Sequence, residues 1–120
     1  MKKLWSIMIL MAVFALPAFA QLTPYDSLIT NNGGLGITAN VVLTKTKVYL
    51  LQGFVYVRNG ATLTIPAGTL IMGEKSTQGS LIIERGGKLI ANGTATEPIV
   101  FTSQQPAGLR ARGDWGGIVL

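Results

Sequence analysis

The chain has 120 residues with no cysteine, no histidine and a formal charge of +5 from ten basic and five acidic residues. That composition excludes a disulfide framework, thiol chemistry, a Ser-His-Asp system and a zinc-type ligand set, so neither a catalytic residue nor a metal or cofactor is expected. The basic residues Lys45, Lys47, Arg58, Lys75, Arg85, Lys88, Arg110 and Arg112 are scattered rather than gathered into a stripe, so nucleic acid is not an expected partner.

Residues 1–20 have the three zones of a Sec-type signal peptide: Lys2 and Lys3, an apolar helical run over 4–16, and Pro17-Ala18-Phe19-Ala20. Cleavage is expected after Ala20, where Ala18 and Ala20 give the small side chains that the peptidase needs and Pro17 stops the helix. The alternative is a membrane anchor, but the apolar run is shorter than the roughly 20 residues that span a bilayer. No Cys stands at the cleavage site to carry a lipid. The expectation is therefore an exported chain, extracellular or on the outer cell surface, with no membrane span after cleavage. Losing Lys2 and Lys3 leaves eight basic residues against five acidic ones, a formal charge of +3.

Residues 21–40 are rich in Thr, Asn and Gly without a sustained period, and read as a loosely ordered leader. From Val41 onward, short β-branched runs recur between glycines, predicting strands at 41–43, 48–51, 54–57, 62–65, 69–72, 81–83, 88–91, 99–102 and 118–120. Gly or Pro interrupts nearly every helical window after residue 41.

Those strands repeat. Val55-Tyr-Val-Arg-Asn-Gly-Ala-Thr-Leu-Thr-Ile65 shifted by 26 positions falls on Leu81-Ile-Ile-Glu-Arg-Gly-Gly-Lys-Leu-Ile-Ala91. Apolar positions 55/81, 57/83 and 63/89 then coincide, as do Gly60 and Gly86. Ala67-Gly-Thr69 and Asn92-Gly-Thr94 both lead into a further strand, the second after a longer bridge. A period of this length built of short strands and glycine corners argues for a solenoid. Alternate residues Val55, Val57, Leu63, Ile65, Leu81, Ile83 and Leu89 would fill its narrow core, and Gly60, Gly68, Gly86 and Gly93 would turn its corners at positive φ. The rival is an antiparallel sandwich with Asn59-Gly60 as a hairpin turn.

Three stretches carry a resemblance: Gly53-Phe-Val-Tyr-Val-Arg-Asn-Gly-Ala-Thr-Leu-Thr-Ile-Pro-Ala-Gly-Thr69, Ser80-Leu-Ile-Ile-Glu-Arg-Gly-Gly-Lys-Leu-Ile-Ala-Asn-Gly-Thr94, and Pro98 to Ser103 followed by Gly113-Asp-Trp-Gly-Gly-Ile-Val-Leu120. Over about residues 45–120 the chain resembles the secreted right-handed parallel β-helix, pectin-lyase-like proteins of Bacteroidetes-type bacteria. The resemblance implies an all-β fold, with residues 41–120 as the N-terminal coils of a parallel β-helix that is incomplete at the C-terminus. It also implies a longer native protein, in many cases with a C-terminal sorting domain. A fragment ending in an uncapped coil is expected to be poorly soluble.

Arg110, Arg112, Asp114 and Trp115 are the one cluster of chemically versatile side chains after residue 20. Two readings apply: a corner in which Asp114 bonds backbone and Trp115 packs on a neighbouring coil, or a glycan contact. A calcium-dependent lyase site is disfavoured, because calcium takes six to eight oxygens and this segment has one carboxylate. Glu74 and Lys75 read as a polar loop, and Glu84 with Glu97 is too weakly placed for a glycosidase pair. The expected function is a secreted or cell-surface scaffold, glycan-binding or adhesin-like and non-catalytic, whose partner is a polysaccharide or cell-envelope glycan. The alternative is the N-terminal part of a polysaccharide lyase or glycoside hydrolase with its active site in downstream coils.

Overall fold

The computed structural model describes residues 21–120; residues 1–20, read from the sequence as a signal peptide, lie outside the described residues. Ten short strands follow one another: β1 (Ser27–Ile29), β2 (Val41–Val42), β3 (Val48–Leu51), β4 (Phe54–Val57), β5 (Thr62–Ile65), β6 (Leu70–Gly73), β7 (Ser80–Ile83), β8 (Lys88–Ala91), β9 (Val100–Ser103) and β10 (Gly117–Val119). They form three sheets: A in the order β1-β3-β6-β9, B in the order β4-β7-β10, and C in the order β2-β5-β8. Every pairing is parallel, which removes the hairpin-linked sandwich. The chain visits A, B and C in turn and then climbs one strand spacing, so the architecture is a three-sided parallel β-helix.

The repeat read from the sequence is the physical register. Val55 stands beside Leu81, Val57 beside Ile83 and Leu63 beside Leu89, each 26 residues on. On sheet A the same step is shorter one coil earlier, Tyr49 beside Ser27, and longer one coil later, Phe101 beside Ile71. Connections between strands absorb the difference, so the strands stack evenly while the corners vary.

Alternate side chains point inward, as two-residue periodicity requires. Tyr49, Leu51, Val55, Val57, Leu63, Ile65, Ile71 and Leu81 form one buried cluster, against which the partly buried Ile83 and Leu89 pack. Each fully buried aliphatic side chain contributes about 1.5–3 kcal/mol, and with no disulfide this core holds the coils together. Two buried side-chain hydroxyls are matched locally, whereas the buried Arg58 Nε has no hydrogen-bond partner. The hydroxyl of Thr69 donates to the Pro66 carbonyl at 2.7 Å, and that of Tyr49 accepts the Thr44 N–H at 2.9 Å.

Asn59 and Gly60 both have positive φ, 58° and 76°, and Ala61 N–H closes the turn on the Arg58 carbonyl at 3.1 Å. This local geometry suits a hairpin, yet the turn carries the chain from sheet B to sheet C. Gly68 and Gly86 also have positive φ, at 84° and 90°. Gly93 does not, which corrects its reading as a left-handed corner. A side chain there would crowd the Ile99 nitrogen at 2.9 Å, so close backbone approach is what calls for glycine.

The expected loose leader is also corrected. Residues 27–42 form the first coil: β1 pairs with β3, Ile37 bridges to Val57, β2 pairs with β5, and Ile29 and Ile37 join the core. Polar side chains of residues 21–40 satisfy the exposed edge of the second coil. Asp26 accepts the Val48 N–H at 2.8 Å, Asn31 that of Tyr56 at 3.0 Å and Asn40 that of Thr62 at 2.9 Å. Their abundance of Asn, which reads as loop in sequence, supplies edge acceptors here.

Ahead of β1, residues 21–26 form a strap over the outer face of sheet A. Thr23 N–H donates to the Gln104 carbonyl at 2.9 Å just past β9, and Asp26 N–H donates to the Val48 carbonyl at 2.7 Å at the start of β3. Between these ties lie Leu50 and Met72, neighbours in the register. Each flanks an inward-pointing residue and lies outside the core cluster, yet both are fully buried. Sheet A thus carries two fully buried outward-pointing apolar residues on the side that the strap's two ties bracket.

Candidate functional site

The corners of the helix differ. From B to C the connections are 58–61 and 84–87, four residues each, and they hold the Arg58–Glu84 ion pair at 2.9 Å between successive coils. From A to B they lengthen over the later coils: residues 52–53, then 74–79, then 104–116, or two, six and thirteen residues, whereas the first coil has seven, 30–36, before the Ile37 bridge. Insertions of this kind in a repeat protein project from one side, often the binding side.

An open depression of about 410 Å³ lies between the second and third of these loops and the strap. It is lined by Leu22, Glu74, Lys75, Ser76, Gln78, Gln104 and Gln105. Amide, hydroxyl and charged groups border it, and the larger part of its surface is apolar. Glu74 takes hydrogen bonds from the Thr77 hydroxyl at 3.0 Å and the Gln52 amide at 3.4 Å. Lys75 is well exposed, with the Asp114 carboxylate 3.9 Å away as its only ion-pair partner among the described residues, a loose contact that leaves the ammonium open to solvent. Gln78 reaches across the corner to the Gly113 carbonyl at 3.2 Å and so joins the two loops.

All four versatile residues singled out from the sequence belong to the 104–116 loop, beside Glu74 and Lys75, but their roles diverge. Asp114 is buried, accepting the Ser103 hydroxyl at 2.7 Å and the Ala111 N–H at 2.9 Å. The Ala111 N–H, then the Ser103 hydroxyl, hold its carboxyl below the ordinary aspartate value despite burial, with a smaller contribution from Lys75. This carboxylate is committed to shaping the loop. Trp115 stacks on Phe101 with centroids 6.3 Å apart and planes 10° from parallel, and it fills the space that a side chain on Gly73 would need. Arg110 is exposed and donates to the Gln105 carbonyl at 2.8 Å and to the Thr23 hydroxyl at 3.4 Å. Arg112 is exposed too. The loop therefore presents two arginines while Asp114 and Trp115 hold its shape. Leu22, Gln78, Gln104 and Gln105 escape a reading by motif, since isolated amides form no pattern. The unequal bridges between repeats are the one sequence signal that could have marked this corner.

Asp114→Asn should lower the melting temperature by several degrees near neutral pH, since an amide is a weaker acceptor for the Ala111 and Ser103 donors. A depressed folded pKa means that the carboxylate stabilises the fold above its unfolded pKa of about 3.9, and that this stabilisation is lost as pH falls through the folded value. Thermal scans between about pH 6 and about pH 3 should therefore show the wild-type advantage over Asp114→Asn shrinking with acid.

Among the described residues no group of three or more acidic side chains could hold a metal ion, and no helix is long and apolar enough to cross a membrane. The family model for the pectate-lyase-like beta-helix domain matches residues 35–120, and the chain belongs to that family. Comparison with curated proteins and with solved structures gives no match. The match begins within the first coil and includes both long A-to-B loops.

Proposed function

We propose that the chain is an exported, extracellular or cell-surface β-helix scaffold that binds a polysaccharide at the A-to-B corner without cleaving it. The observation that carries the proposal is the depression between the 74–79 and 104–116 loops, where the connections lengthen and amides, a hydroxyl and an ammonium converge around Leu22. Such groups suit the hydroxyl-rich edge and apolar face of a sugar ring. Export rests on the zoned segment 1–20.

A binding role without catalysis is supported by where the carboxylates are engaged. Asp26 is held by Val48, Glu74 by Thr77 and Gln52, Glu84 by Arg58, Glu97 by Lys45 and Asp114 by Ser103 and Ala111. Glycoside hydrolysis calls for two carboxyl groups facing one bond, and lyase chemistry for a base beside the sugar acid. Neither arrangement is supported by these pairings. The secreted protein, incubated with a panel of neutral and acidic polysaccharides, should retain one or more of them in affinity electrophoresis and release no unsaturated or reducing ends. New ends would move the reading to an enzyme of the lyase or hydrolase class, and no retention at all would overturn glycan binding.

A further inference from the structure

We infer that the strap is part of the binding site, and that Gln104 is the positioning residue that completes the site by holding Leu22 in place. The inference deepens the glycan-binding reading and rests on it. Leu22 is the one wall of the depression that comes from the N-terminal segment, and it is the only large apolar side chain there. Nothing in the local sequence fixes its place, because the chain around it has neither helix nor strand.

What fixes it is a pair of bonds between its neighbour Thr23 and Gln104, 81 positions on. The Gln104 carbonyl accepts the Thr23 N–H at 2.9 Å, and its side-chain amide donates to the Thr23 carbonyl at 3.2 Å. Gln104 is itself buried, so these bonds are largely shielded from water. Arg110 adds a weaker tie to the Thr23 hydroxyl. Gln104 also lines the depression, so one residue both borders the ligand space and anchors its apolar wall. A sugar ring has an apolar face and a hydroxylated rim, and the two kinds of wall occur here only when the strap is docked: Leu22 on one side, Gln78, Gln105 and Ser76 on the other. Strap docking and glycan binding are then linked, each favouring the other by the same factor.

The test uses the secreted protein and the polysaccharide best retained in the panel. Gln104→Ala and Gln104→Glu, the second keeping length but losing the amide donor, should each weaken retention by about tenfold, and Leu22→Ala by a similar factor. Hydrogen exchange at the Thr23 amide gives a reading that a mere loss of stability would not: glycan should slow it in the wild type, and Gln104→Glu should speed it while amides in β4 to β7 stay protected. Unchanged retention in both Gln104 variants, with wild-type binding intact, would overturn the positioning role of the Gln104 side chain, and unchanged retention in Leu22→Ala as well would overturn the role of the strap and leave the binding proposal standing. Failure of the wild type to bind any polysaccharide would remove both.

Discussion

Gly87→Ala is expected to destabilise the coil stack by about 3 kcal/mol, read as a lower urea midpoint at unchanged slope. A side chain on Gly87 would press into the Val57 carbonyl of the coil below. That carbonyl is already the acceptor for Glu84 N–H at 3.0 Å. The backbone cannot yield, because Gly87 N–H is tied to the Glu84 carbonyl at 2.9 Å and Lys88 N–H to the Ala61 carbonyl at 2.9 Å. The neighbouring Gly86→Ala is the informative comparison. Gly86 has a positive φ of 90° but open space around it, so alanine there meets only the left-handed backbone penalty of about 1–2 kcal/mol. A larger loss at Gly86 than at Gly87 would contradict the stacking of these two corners.

The second large effect concerns the layer under the strap. Met72→Ala should cost about 3 kcal/mol, the usual result of emptying a fully buried methionine site. Counting alternation from Ile71 places Met72 on the outer face of its sheet, where the same change would ordinarily cost less than about 0.5 kcal/mol. A denaturation midpoint close to wild type would therefore mean that residues 21–26 do not cover sheet A in solution. A large loss, accompanied by faster exchange at Thr23 and Asp26, would tie the cost to the strap.

These two sites mark what the sequence does and does not disclose. The strands, their parallel register and the inward residues are legible because adjacent coils make the same local demand on the chain: alternating Val, Ile and Leu, then a tight corner. Overlaying Val55 on Leu81 reads a contact directly. Residues 21–40 are not legible in this way. β1 has only Ile29 well buried, and its neighbours Asn31, Asn40 and Asp26 work by accepting hydrogen bonds from strands some 22 to 25 residues later. Nothing local separates such residues from loop. Gly93 shows the related limit, since glycine in a corner can answer either a backbone angle or a close approach, and only the neighbouring coil decides which.

The candidate site was legible in part. Asp114 and Trp115 stand out as chemically versatile, but burial and internal partners give them structural work, while the amides that border the depression carry no signature of their own. Their convergence depends on the 74–79 loop, the 104–116 loop and the strap meeting at one corner.

Amide chemical-shift mapping during titration with the retained polysaccharide tests the central claim most directly. Shifts gathered at Leu22, Lys75, Ser76, Gln78, Gln104 and Gln105 are the expected result. Shifts gathered instead on the exposed outer face of sheet B, around Phe54 and Tyr56, or spread evenly over the coils, would contradict the corner depression as the binding site.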